Sequence, residues 1–202
     1  MAPMFIIMSF AFGMAIFILV LMAPYNWTGR KLGDDIIARL RSLLGVFVAA
    51  VLYFVVVYHL TNLYITEHHD YEKFILLEGG QYTKVFWIGQ IILGGLLPLA
   101  LIYAPGVRDN RKMLAFICTL VIIGGLSTMY TIIIGGQAYP LEIFPGYEVN
   151  STFFDGVINN YTPSVYEIAL GIGGVAVSLL IVTFVIKVLP FLPTSLADEK
   201  GN

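Results

Sequence analysis

"VYHLTNLYITEHHDYEKFILLEGGQYTKVFWIGQ", residues 57–90, joins the tail of one oily run to the head of the next. All three histidines of the chain lie within it, with Glu67, Asp70, Glu72, Glu78, Lys73 and Lys84. Apolar letters, a knot of titratable ones, then apolar letters again read as two helices in oil joined by a link in water. The rest of the chain repeats that alternation. Of 202 residues, 58% are hydrophobic and 12% charged, against roughly 25% charged in a soluble domain. A helix crosses a hydrocarbon core with about 20 apolar residues. Five runs qualify, over 4–24, 43–64, 82–103, 113–134 and 166–188. The expected fold is all-α: a polytopic membrane protein of five transmembrane helices, a four-helix bundle plus one, forming a single domain over 1–202.

Positive charge orients such a chain, because cytoplasmic links collect Lys and Arg. The first link holds Arg30, Lys31, Arg39 and Arg41, and the third holds Arg108, Arg111 and Lys112. Lys187 and Lys200 lie at the C-terminal end. The link after the second run has only Lys73 and Lys84, and the one after the fourth has none. Nine against two places the N-terminus outside and the C-terminus in the cytoplasm. The histidine-rich link then faces outward, as does the long aromatic link 135–164 with Glu142, Glu148 and Asp155, which reads as a folded cap. No Lys or Arg precedes the first run, so it lacks the basic start of a signal peptide and reads as a span. A net charge of −2 makes no case for a nucleic-acid partner.

Helices in lipid associate through small residues that let backbones approach. Gly124 with Thr128 on the fourth run and Gly174 with Ser178 on the fifth have that spacing, and Gly89, Gly94 and Gly95 thin the third. Pro98 removes a backbone donor and is expected to kink the third helix. "GIGGVA", residues 171–176, has the letters of a dinucleotide fingerprint, but no strand precedes it and it belongs to a span.

His59, Asn62 and Thr66 fall on one helical face at i, i+3, i+7, and Glu67 follows. His59 lies about five residues inside the outer end, roughly 8 Å deep at 1.5 Å per residue. An ionisable group at that depth needs a partner, a cavity or a water file. Two readings of it stay open: a structural histidine bonded to a neighbouring helix, or a proton-relay or quinone-contacting histidine. Trp87 and Gln90 share a face of the third helix by the same spacing, and Trp87 also suits an interfacial anchor. Glu167, after Pro163 at the start of the fifth helix, either stabilises the first turn or admits protons near the outer face. No residue is assigned a catalytic role. Candidate quinone or proton-relay residues are His59, Asn62, Glu67, Gln90 and Glu167. His68, His69, Asp70, Tyr147 and Asp155 are candidate partner-docking residues. No metal site is expected: adjacent histidines in an outward link more commonly form a solvated or partner-facing surface. A b-type haem needs two axial ligands where His59 offers one. The lone Cys118 cannot hold a cluster, so neither haem nor iron–sulfur cluster is expected on this chain.

The stretches "RLRSLLGVFVAAVLYFVVVYHLTNLYITEHHDYEKFIL" (39–76) and "GGQYTKVFWIGQIILGGLLPLALIY" (79–103) resemble the NrfD/PsrC/HybB superfamily of membrane quinone-interacting subunits. The likeness is greatest to the DsrP-type subunit of sulfite-reduction-associated complexes. "GGQAYPLEIFPG" (135–146), "YTPSVYEIALGIGG" (161–174) and "KVLPFLP" (187–193) extend it over nearly the whole chain. The resemblance implies a multi-pass subunit of the prokaryotic inner membrane. Such subunits work between menaquinone or another quinone and external partners, a ferredoxin-like iron–sulfur subunit and a multihaem cytochrome c subunit. DsrP-like proteins have about ten spans in two similar halves, and this chain looks like the C-terminal one. That implies a companion N-terminal-half membrane protein, which would bind much of the quinone. This half would then supply proton conduction and docking surface.

Three functions are consistent with these residues: a redox-complex subunit supporting electron transfer with the quinone pool, a purely structural anchor of such a complex, and a transporter. Transporters build midplane sites from broken helices. One proline and no charge pair at mid-depth rank that reading last.

Overall fold

The computed structural model describes residues 2–105, 110–140, 152–153, 156–189, 193 and 195–196. Five helices are long and apolar enough to cross a membrane: Ala2–Thr28, Asp34–Tyr64, Gln81–Tyr103, Arg111–Ala138 and Val165–Val188. They are the first to fifth spans below. The described residues contain no strand beyond a single bridge between Leu32 and Leu196. The all-α, five-span reading stands, and the chain is a multi-pass membrane protein. The helices outrun the oily stretches. The second begins at Asp34 rather than near 43, because two acidic residues suit the positive end of the helix dipole.

The first four spans pack together around two core clusters stacked end to end. One gathers Ala15, Ile18, Leu44, Val48, Ile117 and Cys118 towards the basic links. The other gathers Met4, Met8, Val55, Phe74, Ile75, Tyr82 and Phe86 towards the histidine-rich link. Between them the third and fourth spans cross backbone to backbone. A methyl group on Gly94 or on Gly124 would overlap the other glycine's Cα, so only glycine permits this approach. The expected Gly124–Thr128 pair therefore closes on the third span. Thr128 donates its hydroxyl to Gly124 O at 2.9 Å and leaves no polar hydrogen facing the contact.

The third span is not uniformly α. From Val85 to Leu96 it winds in wide i→i+5 turns, and α-helix resumes at Leu97. Pro98 therefore falls in the first turn of the new α segment, where a missing N–H costs least. Wide turns recur at Phe74–Glu78 and Tyr130–Gly135, and such turns concentrate at functional sites. Gly80 opens the third span at φ 56°, ψ −102°, a backbone that side-chain-bearing residues rarely adopt.

The fifth span stands apart. None of its residues is buried, and Gly171, Gly173 and Gly174 have nothing within 4 Å of a built Cβ. Both its flanks are pinned. Asn159 N–H donates to Ala138 O at 2.9 Å, and Tyr82 OH donates to Asn159 O at 3.1 Å. After the span, Leu196 bonds Lys31 O and Gly33 N–H, while Tyr25 OH and Arg30 donate to Pro193 O.

Candidate functional site

The second span ends at Tyr64, where Ile65 turns extended and bonds back to Asn62 O. A tight turn, Thr66–His68, and a short helix, His69–Lys73, then fold the chain back over that end. The fold-back carries Glu72 inward until it is fully buried. Its Oε2 accepts from His59 Nδ1 at 2.6 Å, and its Oε1 accepts from Asn62 Nδ2 at 2.7 Å. The i, i+3 spacing of His59 and Asn62 is what lets one carboxylate meet both. A polar group taken from water is costly unless hydrogen-bonded, and both Glu72 oxygens have partners. The His59 ring meets Phe86 edge-on at 4.8 Å and Tyr58 at 5.1 Å. This aromatic collar leaves its side chain 14% exposed.

Beside this group lies a cavity of about 640 Å³, within the roughly 300–1,000 Å³ typical of small-molecule sites. Met4, Phe54, Val57 and Ile132 give it apolar walls, and Tyr58, Asn62, His68 and Tyr71 supply polar groups. Burial, followed by the nearby Tyr58 and Glu72, pushes the Tyr71 phenol far above its ordinary value. Its hydroxyl therefore stays an O–H donor across the physiological range. A second cavity, about 10 Å³, lies further in among Met4, Tyr58, His59, Tyr71, Ile75, Gln90, Thr131 and Ile132.

Of the sequence candidates, the structure brings His59 and Asn62 together on the Glu72 carboxylate and sets Gln90 beside His59 on the inner cavity. Gln90 does not share a face with Trp87 as α-helical spacing implied. Trp87 is outward and donates to Leu76 O at 2.9 Å, while Gln90 is 7% exposed. The wide turns explain the difference, because i and i+3 no longer stack when a turn takes more than four residues. Thr66 lies past the helix end and off the stripe. Glu67 is exposed in the turn, and Asp70 is exposed as well. His68 lines the large cavity, and His69 Nε2 donates to Leu63 O. Glu167 lines neither cavity. It closes a capping box, accepting from Ser164 N–H at 2.6 Å, and its hydrogen bond with Tyr161 raises that phenol. Tyr147 and Asp155 lie outside the described residues. Sequence reasoning missed Glu72 as the partner of His59. The available signal was an acid following a link too short to leave the bundle. Among the described residues, no three His, Cys, Asp or Glu side chains gather as they would around a metal ion.

Comparison with known proteins gives the setting. The chain is 28% identical over 200 residues to the Hdr-like menaquinol oxidoreductase integral membrane subunit of Archaeoglobus fulgidus, covering 98% of this chain and 50% of that one. It is 25% identical over 169 residues to a selenate reductase subunit of Mesobacillus selenatarsenatis, covering 82% and 38%. Against a putative dimethyl sulfoxide reductase membrane subunit of Halobacterium salinarum the identity is 24% over 206 residues, covering 94% and 45%. The chain thus spans about half the length, or less, of these curated relatives. No solved structure matches it. The family model described as polysulphide reductase, NrfD, matches residues 1–140, and the chain belongs to that family.

Proposed function

We propose that this chain is an integral membrane subunit of a respiratory redox complex, and that its His59–Glu72–Asn62 group handles protons for a quinol or quinone headgroup in the adjoining cavity. The observation that carries the reading is Glu72. A fully buried carboxylate with both oxygens committed, one to an imidazole, is a costly feature for a mere membrane anchor. The walls suit the ligand: a flat aromatic ring with oxygens at its two ends needs apolar flanks and a few convergent polar groups. Phe54, Val57 and Ile132 provide the flanks, and Asn62, His68 and Tyr71 provide the polar groups. Bound there, a quinol supplies two electrons and two protons on oxidation. Asn62 holds the Glu72 carboxylate in place. The His59–Glu72 pair takes up a proton and passes it on. Phe86 and Tyr58 shield the imidazole from bulk water.

The resemblance puts the quinone mainly on a companion half, and this cavity adds a headgroup-sized site on the present chain. The companion remains part of the proposal, since relatives are about twice as long and the fifth span offers a fully exposed face. External iron–sulfur and cytochrome c subunits would take the electrons, in keeping with a lone Cys118 that cannot hold a cluster. The complex sits in a prokaryotic inner membrane with the histidine-rich end outward. Lys and Arg asymmetry supports that orientation.

The test is substitution within the assembled complex. His59→Ala or Glu72→Gln lowers menaquinol-linked turnover about 100-fold, in keeping with loss of a general acid–base group, while native gels show the complex intact. Unchanged turnover in both variants rules the reading out. Lost assembly without any change per assembled complex leaves the structural anchor in its place.

A further inference from the structure

Neither His59 nor Glu72 lines the large cavity, so a proton moving between that cavity and the pair needs a carrier. Met4, Tyr58, Tyr71 and Ile132 line both cavities and form the wall between them. His59 lines the inner one. So does Gln90, more than nine-tenths buried, whose Oε1 has no hydrogen-bond partner among the described residues. Buried amide oxygens are nearly always paired. The inner cavity, at about 10 Å³, matches the room that the centre of one water needs, roughly 10–15 Å³.

We propose that one structural water occupies the inner cavity, held by Gln90, and that it links the tyrosine hydroxyls of the dividing wall to the free edge of the His59 ring. The count of donors and acceptors closes. Glu72 already engages Nδ1, so the neutral imidazole presents Nε2 as an acceptor. The water donates one hydrogen to Nε2 and the other to Gln90 Oε1. Thr131 Oγ1 donates to Ser127 O at 3.0 Å, which spends its proton and leaves lone pairs. The water's own acceptor sites are left for the Tyr58 or Tyr71 hydroxyl. Turning the Gln90 amide over puts Nε2 in place of Oε1, and a water satisfies that end equally well.

The step moves one proton and no electron. A water O–H bond breaks as an N–H bond forms at His59 Nε2. The tyrosine O–H proton passes to the water oxygen and restores its lost O–H bond, and the tyrosine oxygen takes a proton from an O–H bond that breaks on the quinol in the large cavity. Glu72, Tyr58 and Tyr71 are the titratable groups around the imidazole. Towards the inner cavity and the imidazole the third span presents Phe86 and Gln90 and the fourth Thr131 and Ile132, none of which titrates. Gln90 is therefore a positioning residue, acting through the water it holds.

The inference rests on the quinol reading above, and the experiment separates the two. Gln90→Leu and the isosteric Thr131→Val are made in the full chain with its co-purifying subunits. Four readouts follow: thermal melting, the infrared O–H stretch that shifts in H₂¹⁸O, quenching of 2-heptyl-4-hydroxyquinoline N-oxide fluorescence, and the pH profile of menaquinol oxidation. Gln90→Leu is expected to abolish the water band and lower the melting point by about 2–4 °C. It should also cut turnover about tenfold and shift its pH profile, with quenching as in wild type. Thr131→Val should weaken the same band. A dry orphan amide gives the opposite sign: Gln90→Leu melts higher, and neither band nor profile changes. That result overturns the water relay and leaves the quinol reading standing. Failure of the wild type to quench the probe overturns the quinol reading, and the relay with it.

Discussion

Two carboxylate–base contacts mark the two ends of the second span. Both are 2.6 Å long. At the basic end Arg111 Nη2 meets Asp34 Oδ1, with side chains 43% and 83% exposed. At the other end, roughly 37 Å along the helix at 1.5 Å per residue, His59 meets Glu72, which is fully buried. Length does not distinguish them. Their surroundings do. Water competes for every hydrogen bond of the first pair and screens its charges, so its net contribution is at most about 1 kcal/mol. The second is largely shut off from bulk water, with side chains 14% and 0% exposed, and each partner depends on the other to offset its own desolvation.

Breaking that contrast gives the largest effect. Glu72→Ala strands His59 and Asn62 without a buried acceptor and should cost about 3–5 kcal/mol, measured by denaturant unfolding in detergent. If it cost no more than Asp34→Ala, the contrast would fail. Gly124→Val asks whether steric damage imitates electrostatic damage. It forces the third and fourth spans apart at Gly94 and should cost about 1–3 kcal/mol, with the pH profile of turnover unmoved. Asp34→Ala should cost about 1 kcal/mol or less, and less again in 1 M salt, where the Debye length is about 3 Å. Salt should leave the Glu72→Ala deficit as it was.

The smallest effect belongs to Lys73–Glu78, an exposed pair at 2.7 Å. The hydrogen bond to Glu78, then its charge, raises Lys73 above its ordinary value of 10.5. A base raised on folding stabilises fully below its unfolded value and loses that stabilisation only as pH climbs through the folded one. Glu78→Gln should therefore leave the shape of the stability curve unchanged between about pH 6 and 9, read by melting across that range.

The five spans were legible because each is a run of apolar residues long enough to cross oil, a property of neighbouring letters. The His59–Asn62 face was legible for the same reason, since the helical repeat is local. Glu72 was not. Thirteen residues of sequence separate it from His59, and it arrives only because a turn and a short helix fold the link back. As part of a loop, it reads like one more solvated acid. Gln90 stands out through a spacing that the wide turns of the third span do not keep. Glu167 reads two ways from sequence, as a first-turn stabiliser or as a proton entry, because a lone carboxylate heads an oily helix. The capping box it closes with Ser164 matches the first of these, and its spacing is local enough to be seen in the letters.

The wide turns from Val85 to Leu96 also bear on which insertions and deletions the third span tolerates. Each i→i+5 turn stores about one residue more than an α turn, so the segment carries slack in its register. A single-residue deletion there could be absorbed by reverting to α winding, leaving a helix still long enough to cross the bilayer. The same reversion would swing Gln90 off its cavity, so the length change that the fold forgives is one that the site does not.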